Sequence, residues 1–419
     1  MSALHNLISQ QRIWDDLMAL AAITDPDRPY TRRSFSPRFL EGRAWLRRRF
    51  EEAGLAVRLD TGGNLIGRIE GTDANAPPIL LGSHSDTVPS GGRFDGPAGI
   101  ITALEIVRAM RDARERTRHA IEVVDFLAEE PSEYGLSCVG SRAMAGVLDE
   151  TMLEARNAAG ETLSEAIARV GGDPARLSEA RREGLAGYLE LHIEQGIVLE
   201  SQGIDLGIVT AIVGIARVEI VLEGSADHAG TTPMDRRRDA GLAAARLSLE
   251  VAAKARQFVN LGQGHFVATT GILLVEPNAA NVVPGRARMV FDIRAETDSL
   301  LEKFLADLDV VSTAIAAEMK VARTGFALLS RTKPTLCDRS LQAMLEKGAA
   351  MHGLSTLRLA SGAGHDAAFL AKITPSAMLF IPCLNGRSHA PEEWAEPAAL
   401  AAGAIAMLEA VRSLDSQEI

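Results

Sequence analysis

Histidines and carboxylates recur in this chain where apolar runs end. Ile79-Leu80-Leu81 leads into Gly82-Ser83-His84-Ser85-Asp86-Thr87-Val88, and Asp95 follows inside Gly91-Gly92-Arg93-Phe94-Asp95-Gly96. Glu129 and Glu130 close the run that starts at Ile121. His192 closes Leu189-Glu190-Leu191, and His389 follows the run Met378 to Ile381. Ligands collect at strand ends in open α/β sheets. Nitrogen and oxygen donors of this kind suit zinc, manganese or cobalt. The pattern predicts a two-metal hydrolase.

Each element of that reading has a plainer competitor. A lone histidine is usually a core or surface residue, and His5, His119, His265 and His352 are read that way. His84 differs because Asp86 lies two residues on, where an extended chain turns both side chains to one face. A carboxylate there could accept the other ring N–H and fix the tautomer. The glycines at 91, 92, 96 and 99 allow the backbone to turn back so that Asp95 meets His84. The pair Glu129-Glu130 could be a solvated strand end. At the end of a buried strand, however, adjacent side chains diverge. One carboxylate can then bind metal while the other serves as base toward water.

Composition narrows the partners. The chain has 419 residues, 47% apolar and only 4% aromatic, with a formal charge of -11. That charge disfavours nucleic acid, which wants a basic face, and a small substrate fits better. Cys138, Cys337 and Cys383 are too few and too scattered for a disulfide framework, and are expected to be buried free thiols. Met1 to Asp16 shows no apolar signal core. No uninterrupted apolar stretch approaches the roughly 20 residues of a membrane span. A cytoplasmic protein without a membrane partner is the expectation.

The elements that must position these residues alternate. Pro37 to Ala53 has helical apolar spacing, and Leu55–Leu59 and Leu65–Glu70 read as strands around Gly62-Gly63-Asn64. Ile79–Leu81 is a strand, Ala98–Arg111 a helix, Ile121–Leu127 a strand, and Arg142–Gly146 part of a helix. Strand and helix in alternation argue for an α/β sandwich. After residue 212 the order becomes strand (Arg217–Leu222), helix (Arg238–Ala255), strands (Val267–Val275, Ala287–Ala295), helix (Asp298–Met319) and strand (Val321–Leu328). This is the split βαβ order. It predicts a ferredoxin-like α+β domain over 213–330, inserted into an α/β domain with a mixed sheet made of 1–212 and 331–419. The α/β pattern resumes with helix Ser340–Met351, strand Ser376–Ile381 and helix Pro397–Leu414. A hinge is expected near 210–214 and 329–333.

The strings quoted above resemble those of the hydantoinase/carbamoylase family. So do Glu190-Leu191-His192-Ile193-Glu194-Gln195-Gly196, His228-Ala229-Gly230-Thr231-Thr232-Pro233-Met234 and Ser388-His389-x-Pro391-x-Glu393. That family holds N-carbamoyl-L-amino-acid hydrolases, β-ureidopropionases and allantoate amidohydrolases, within the aminoacylase and carboxypeptidase clan. The resemblance implies a dinuclear metallohydrolase using two divalent ions, Zn2+, Mn2+ or Co2+. His84, Asp95 and His192 would hold one; Asp95, Glu130 and His389 would hold the other, with Asp95 bridging. Glu129 would activate the water between them, and Asp86 would orient His84. The inserted domain would be a lid and the dimer contact, making a homodimer. Its His228 would polarise the scissile carbonyl. Gln195, Asn281, Arg294 and Gly362, the last in the loop Ser361–Asp366, would bind a small carboxylate substrate. His365 of the same loop could support the metals or simply be structural. The reaction implied is hydrolysis of a linear C–N amide bond in an N-carbamoyl-L-amino-acid-like substrate. Allantoate, a ureidopropionate or an N-acyl amino acid are the alternatives. One departure stands out. Relatives usually continue the two glutamates with Gly-Ser-Arg-Phe, where this chain has Pro131-Ser132-Glu133-Tyr134. Glu133 could repel an anionic substituent, attract a cationic one, or pair with Arg142.

Overall fold

Strands buried on both faces read as continuous apolar runs and belong to parallel sheets. Ile79–His84, Ile121–Phe126, Gly187–Ile193 and Ser376–Ile381 are buried at every position. The computed structural model describes residues 8–417; the reading of His5 lies outside them. In chain order the described strands are β1 (Ala56–Leu59), β2 (Leu65–Ile69), β3 (Ile79–His84), β4 (Ile121–Phe126), β5 (Gly187–Ile193), β6 (Leu206–Ile212) and β7 (Gly214–Glu223). Then come β8 (Phe266–Glu276), β9 (Arg286–Ala295), β10 (Ala322–Thr332), β11 (Thr335–Leu336), β12 (Thr356–Ser361) and β13 (Ser376–Ile381).

The chain folds as two units. One holds the residues up to Thr210, Leu336–Leu359 and those from His365 on; the other holds Ala211–Thr335 and Ala360–Gly364. The second therefore includes a return segment outside the expected 213–330. That segment is tied to it because Val213 N–H donates to Ser361 O and Arg294 Nη1 to Gly362 O.

In the first unit the sheet runs β1-β2-β4-β3-β5-β13-β6-β11, with β12 pairing β6. It is mixed. The central contacts β4/β3, β3/β5 and β5/β13 are parallel, while β1/β2, β2/β4 and β13/β6 are antiparallel. Parallel register puts His84 beside Phe126 and His192 beside Phe380, so four strands end together on one edge. Helix Pro97–Asp112 opens immediately after Asp95-Gly96 with Pro at its first turn, where the missing N–H is harmless, and is buried along nearly its whole length. Each large side chain it buries against β3 and β5, Ile101 and Leu104 among them, contributes about 1.5–3 kcal/mol. Helix Pro397–Asp415 has 19 residues at mean hydropathy 1.3, enough by length and composition to cross a membrane. Its Leu400, Met407 and Val411 are instead buried, and it packs on β13 and on helix Arg339–Met351.

The second unit is an antiparallel sheet in the order β10-β7-β9-β8, and strand, helix, strand, strand, helix, strand is its chain order. Ala216, Val218, Ile220 and Leu222 alternate inward with Ala287, Met289, Phe291 and Ile293, the period-two pattern of a one-faced sheet. Helices Ala240–Asn260 and Asp298–Glu318 cover that face. Their N-termini are capped by the side chains of Asp239 and Thr297, which accept from Leu242 N and Leu300 N.

Candidate metal centre

Four strand ends converge on one group of side chains. His84 is the last residue of β3 and His192 lies at the end of β5; Glu129-Glu130 follow β4, and His389 follows β13. Asp95 sits between them. Its Oδ1 is 3.0 Å from His192 Nε2 and 3.9 Å from His84 Nε2; its Oδ2 is 3.2 Å from His389 Nε2. Glu130 Oε1 is 3.3 Å from His389 Nε2. Two donor sets, His84/Asp95/His192 and Asp95/Glu130/His389, each gather their ligand atoms within 4.8 Å and share Asp95. All five residues expected as ligands are thus brought together. Asp95 can come so close because Gly96, at φ +83°, lies against His84; a Cβ there would strike the imidazole.

The donor chemistry fits a cation. His84 Nδ1 bonds to Asp86 O at 3.0 Å and His192 Nδ1 to Ile193 O at 2.9 Å. A carbonyl only accepts, so each Nδ1 carries a proton, which leaves Nε2 as the atom that would face an ion. Among the described residues neither buried Nε2 has a well-directed hydrogen bond, His192 Nε2 having only the Asp95 carboxylate at 3.0 Å, an arrangement that an ion between them would satisfy. Charge agrees. Burial outweighs all else at Glu129 and Glu130 and pushes both up, Glu129 strongly. Asp95 is held well below the carboxylate range despite burial, by His192 and His389. Hydrogen bonds to Asp95 and Glu130 push His389 up to about 11. Carboxylates that make an imidazole hold its proton so firmly are calling for positive charge.

Asp86 meets His84 at two places: its backbone carbonyl lies 3.0 Å from His84 Nδ1 and its carboxylate Oδ1 3.5 Å from the same nitrogen. Its carboxylate accepts from Glu129 N and Glu130 N at 3.2 Å each. The chain turns out of β3 after His84, so the buried carboxylate also reaches the neighbouring strand end. Glu129 and Glu130 diverge, Glu129 Oε2 lying 3.6 Å from His84 Nε2. Backbone strain concentrates here, since Ala128, Cys138, Gln195 and His389 all have φ between 52° and 57°.

Gln195, expected to touch substrate, donates to Asp95 Oδ2 at 2.7 Å. His365 is buried with its ring edge-on to His192, centroids 4.5 Å apart. Glu190, His192 and His365 form a third set of close donors. Glu190 accepts from Ser83 Oγ at 2.8 Å and from Ala367 N at 3.3 Å. Glu393, to which sequence reasoning gave no role, accepts from Phe94 N at 2.7 Å and Asp95 N at 3.0 Å. Burial and the charge of Asp95 push Glu393 up to about 7. The only sequence signal for it was its place in the string after His389.

In the second unit His228 is exposed, bridges to Val282, and takes Gly230 N–H on Nδ1 at 3.1 Å. Asn281 O accepts from Ala229 N, so His228 and Asn281 are neighbours. Arg294 donates from Nε to Asp292 at 2.8 Å and from Nη1 to Gly362 O at 2.7 Å. Glu133 is 58% exposed and lies 3.6 Å from Arg33. Arg142 instead donates to Ser137 O, so that pairing is not formed. The Tyr134 hydroxyl donates to Glu161 at 2.6 Å. His119 and His352 make ordinary contacts, with Pro77 O and Glu409.

The family described as Peptidase family M20/M25/M40 matches residues 80–413. An N-carbamoyl-L-amino acid amidohydrolase of Geobacillus stearothermophilus is 39% identical over 98% of this chain and 100% of its own. An allantoate amidohydrolase of Bacillus subtilis is 33% identical over 92% of each chain. The crystal structure of an amidase of the hydantoinase/carbamoylase family from Burkholderia multivorans is similar with TM-score 0.90 and 35% identity, over 98% of this chain and 99% of its own.

Proposed function

The chain belongs to peptidase family M20/M25/M40, and from that membership we propose that it hydrolyses a linear C–N amide bond in an N-carbamoyl-L-amino-acid-like substrate. The observation that carries this is the pair of donor sets sharing Asp95, together with a relative of that activity matched over its whole length. His84, Asp95 and His192 would hold one divalent ion and Asp95, Glu130 and His389 a second; zinc, manganese and cobalt all suit these donors. Bound ions supply Lewis acidity, polarising a carbonyl oxygen and making water acidic near neutral pH. Glu129 takes the proton of the attacking water on its carboxylate and returns it to the leaving nitrogen. A buried carboxylate with a raised proton affinity suits that two-way transfer. Asp86 holds the Glu129 and Glu130 amides in place. From the second unit, we assign the substrate carboxylate to Arg294, whose planar fork matches it. Asn281 and the neighbouring backbone support that contact. His228 donates to the oxygen that becomes negative.

Exposed Val267, Ile272, Leu273 and Leu274 on edge strand β8, with Leu328 and Leu329 on edge strand β10, support homodimerisation through the inserted unit, since such edges invite pairing. Three free buried cysteines support a reducing, cytoplasmic location.

The test strips the protein with chelator, adds back manganese, cobalt or zinc, and assays N-carbamoyl amino acids, allantoate and dipeptides. Turnover of a carbamoyl substrate that needs added ion is expected. Full turnover by stripped protein, or turnover of dipeptides alone, overturns the reading. Glu129→Gln should keep the ion and lose about 10²–10⁴ in kcat.

A further inference from the structure

The buried thiol of Cys138 lies 3.7 Å from Glu129 Oε1 and 3.8 Å from Glu129 O, so its single S–H can donate to either. Its placement is fixed by backbone. Cys138 N, Val139 N and Gly140 N donate in turn to Glu129 O, Ala128 O and Leu127 O at 2.9, 3.0 and 2.7 Å. This short ladder zips the start of helix Val139–Met144 to the end of β4. Cys138 occupies it at φ 55°, a left-handed conformation that a side chain adopts at some cost. Ser141 Oγ, bonded to Cys138 O and to Asp366, closes the far side. The thiol is 5% exposed as a residue and belongs to neither donor set that shares Asp95. Burial first, then the charges of Glu129 and Asp366, push its proton affinity well up, so it stays a neutral S–H. Glu129 meets His84 through the other oxygen, Oε2.

Resting on the reading of Glu129 as the proton carrier, we propose that Cys138 is a positioning residue whose S–H holds Glu129 Oε1, leaving Oε2 directed at the water to be deprotonated. A carboxylate held at one oxygen loses one of two equivalent rotations. The other oxygen then keeps one direction through proton uptake and release, the kind of alignment on which proton transfer rates depend. A serine hydroxyl is a stronger donor on a shorter bond and would do the same once the carboxylate swings in to meet it, whereas a methyl would not.

Two measurements test this on the metal-loaded full chain. Cys138→Ala should lower kcat about tenfold, equal to about 1.4 kcal/mol, with KM within about twofold and metal content and melting temperature close to wild type. Cys138→Ser should recover most of the loss. In a Glu129→Gln background Cys138→Ala should add nothing, since the two act as one unit. Unchanged kcat in Cys138→Ala, an equal loss in Cys138→Ser, or an additive loss in the double variant overturns the proposal. The second measurement does not depend on turnover. The infrared S–H band absent from Cys138→Ser should shift when Glu129→Ala removes the carboxylate; a band that stays put also overturns it. Wild-type protein inactive on every substrate would refute the proposed function alone, and the infrared result would still decide the thiol contact.

Discussion

Glu393 offers the sharpest test of how the cluster is assembled. It is fully buried. Oε1 accepts from Phe94 N and Asp95 N at 2.7 and 3.0 Å, and Oε2 lies 2.9 Å from Ser388 Oγ. The carboxylate therefore stands in for the partners that the Gly91–Asp95 turn lacks. Glu393→Ala would leave two buried amide donors unpaired. Each such orphan costs about 1–3 kcal/mol, so the change should cost about 2–6 kcal/mol. Unfolding entropy per residue translates about 1 kcal/mol into about 2 °C for a unit of this size, which gives a fall of about 4–12 °C. Thermal unfolding in chelator isolates this term from lost metal. Because Asp95 is the residue shared by both donor sets, metal affinity should also fall about 10–100-fold, as for other groups that orient ligands. Glu393→Gln keeps an acceptor at Oε1 and should lose far less. A control comes from Gly92, where an added Cβ would overlap the Glu393 carboxyl. Gly92→Ala should be severe alone and mild when combined with Glu393→Ala. If Glu393→Ala melts with wild type in chelator, or if the two changes add, the clamp is not there.

Arg43 is nearly buried and donates to the Asp125 carboxylate and carbonyl at 2.9 Å each, and to Gly63 O. Arg43→Ala should cost about 3–5 kcal/mol, the usual result of orphaning a buried charge. Burial already pushes Asp125 up while Arg43 opposes it, and without Arg43 it rises further. A carboxylate whose folded value is raised destabilises as pH climbs through that value. The penalty, read by denaturant unfolding, should therefore shrink toward acid and be fullest near neutrality; a pH-independent penalty would contradict the assignment. Arg294→Ala should raise KM about 10–100-fold for carboxylate substrates, the value of a charged hydrogen bond, with kcat little changed. Steady-state kinetics check it, and an equal effect on an amidated analogue would count against the role.

The strands beside the candidate ligands were legible because burial on both faces demands mostly apolar runs, and each such run here ends on, or leads into a segment with, a histidine or an acid. The ββ pair of the inserted unit was legible for the opposite reason: Ala287–Ala295 alternates apart from buried Val290, with Ala287, Met289, Phe291, Ile293 and Ala295 on one buried face. Thr356–Ser361 was not, because only its last two residues are buried and it lacks either pattern. The short helices Glu150–Leu153 and Leu163–Arg169 sit in a polar stretch where local capping, such as the Thr162–Glu165 box, does more than periodicity.

Within the site, residue types pointed to the candidate ligands, which the structure gathers together, but not to the directions. Asp86 was read as a partner of the imidazole two residues away, since spacing speaks only of neighbours. Its carboxylate does lie 3.5 Å from the His84 Nδ1, but its further partners, Glu129 N and Glu130 N, lie 43 and 44 residues on, and the Phe94 N partner of Glu393 is 299 residues away. Three acids outside the two donor sets that share Asp95 behave alike. Asp86, Glu190 and Glu393 each accept a backbone N–H from a segment at the cluster. A carboxylate so placed satisfies donors that a strand end leaves exposed, and does so more strongly than a neutral group. Yet each, when ionised, adds a buried negative charge beside Asp95, Glu129 and Glu130, and burial pushes the proton affinity of Glu190 and Glu393 up in response. Packing alone cannot offset that accumulation, since buried anions need opposite charge nearby. The acids that fix the positions of the expected ligands therefore also favour positive charge among His84, His192 and His389, the same place that the geometry of the donor sets marks.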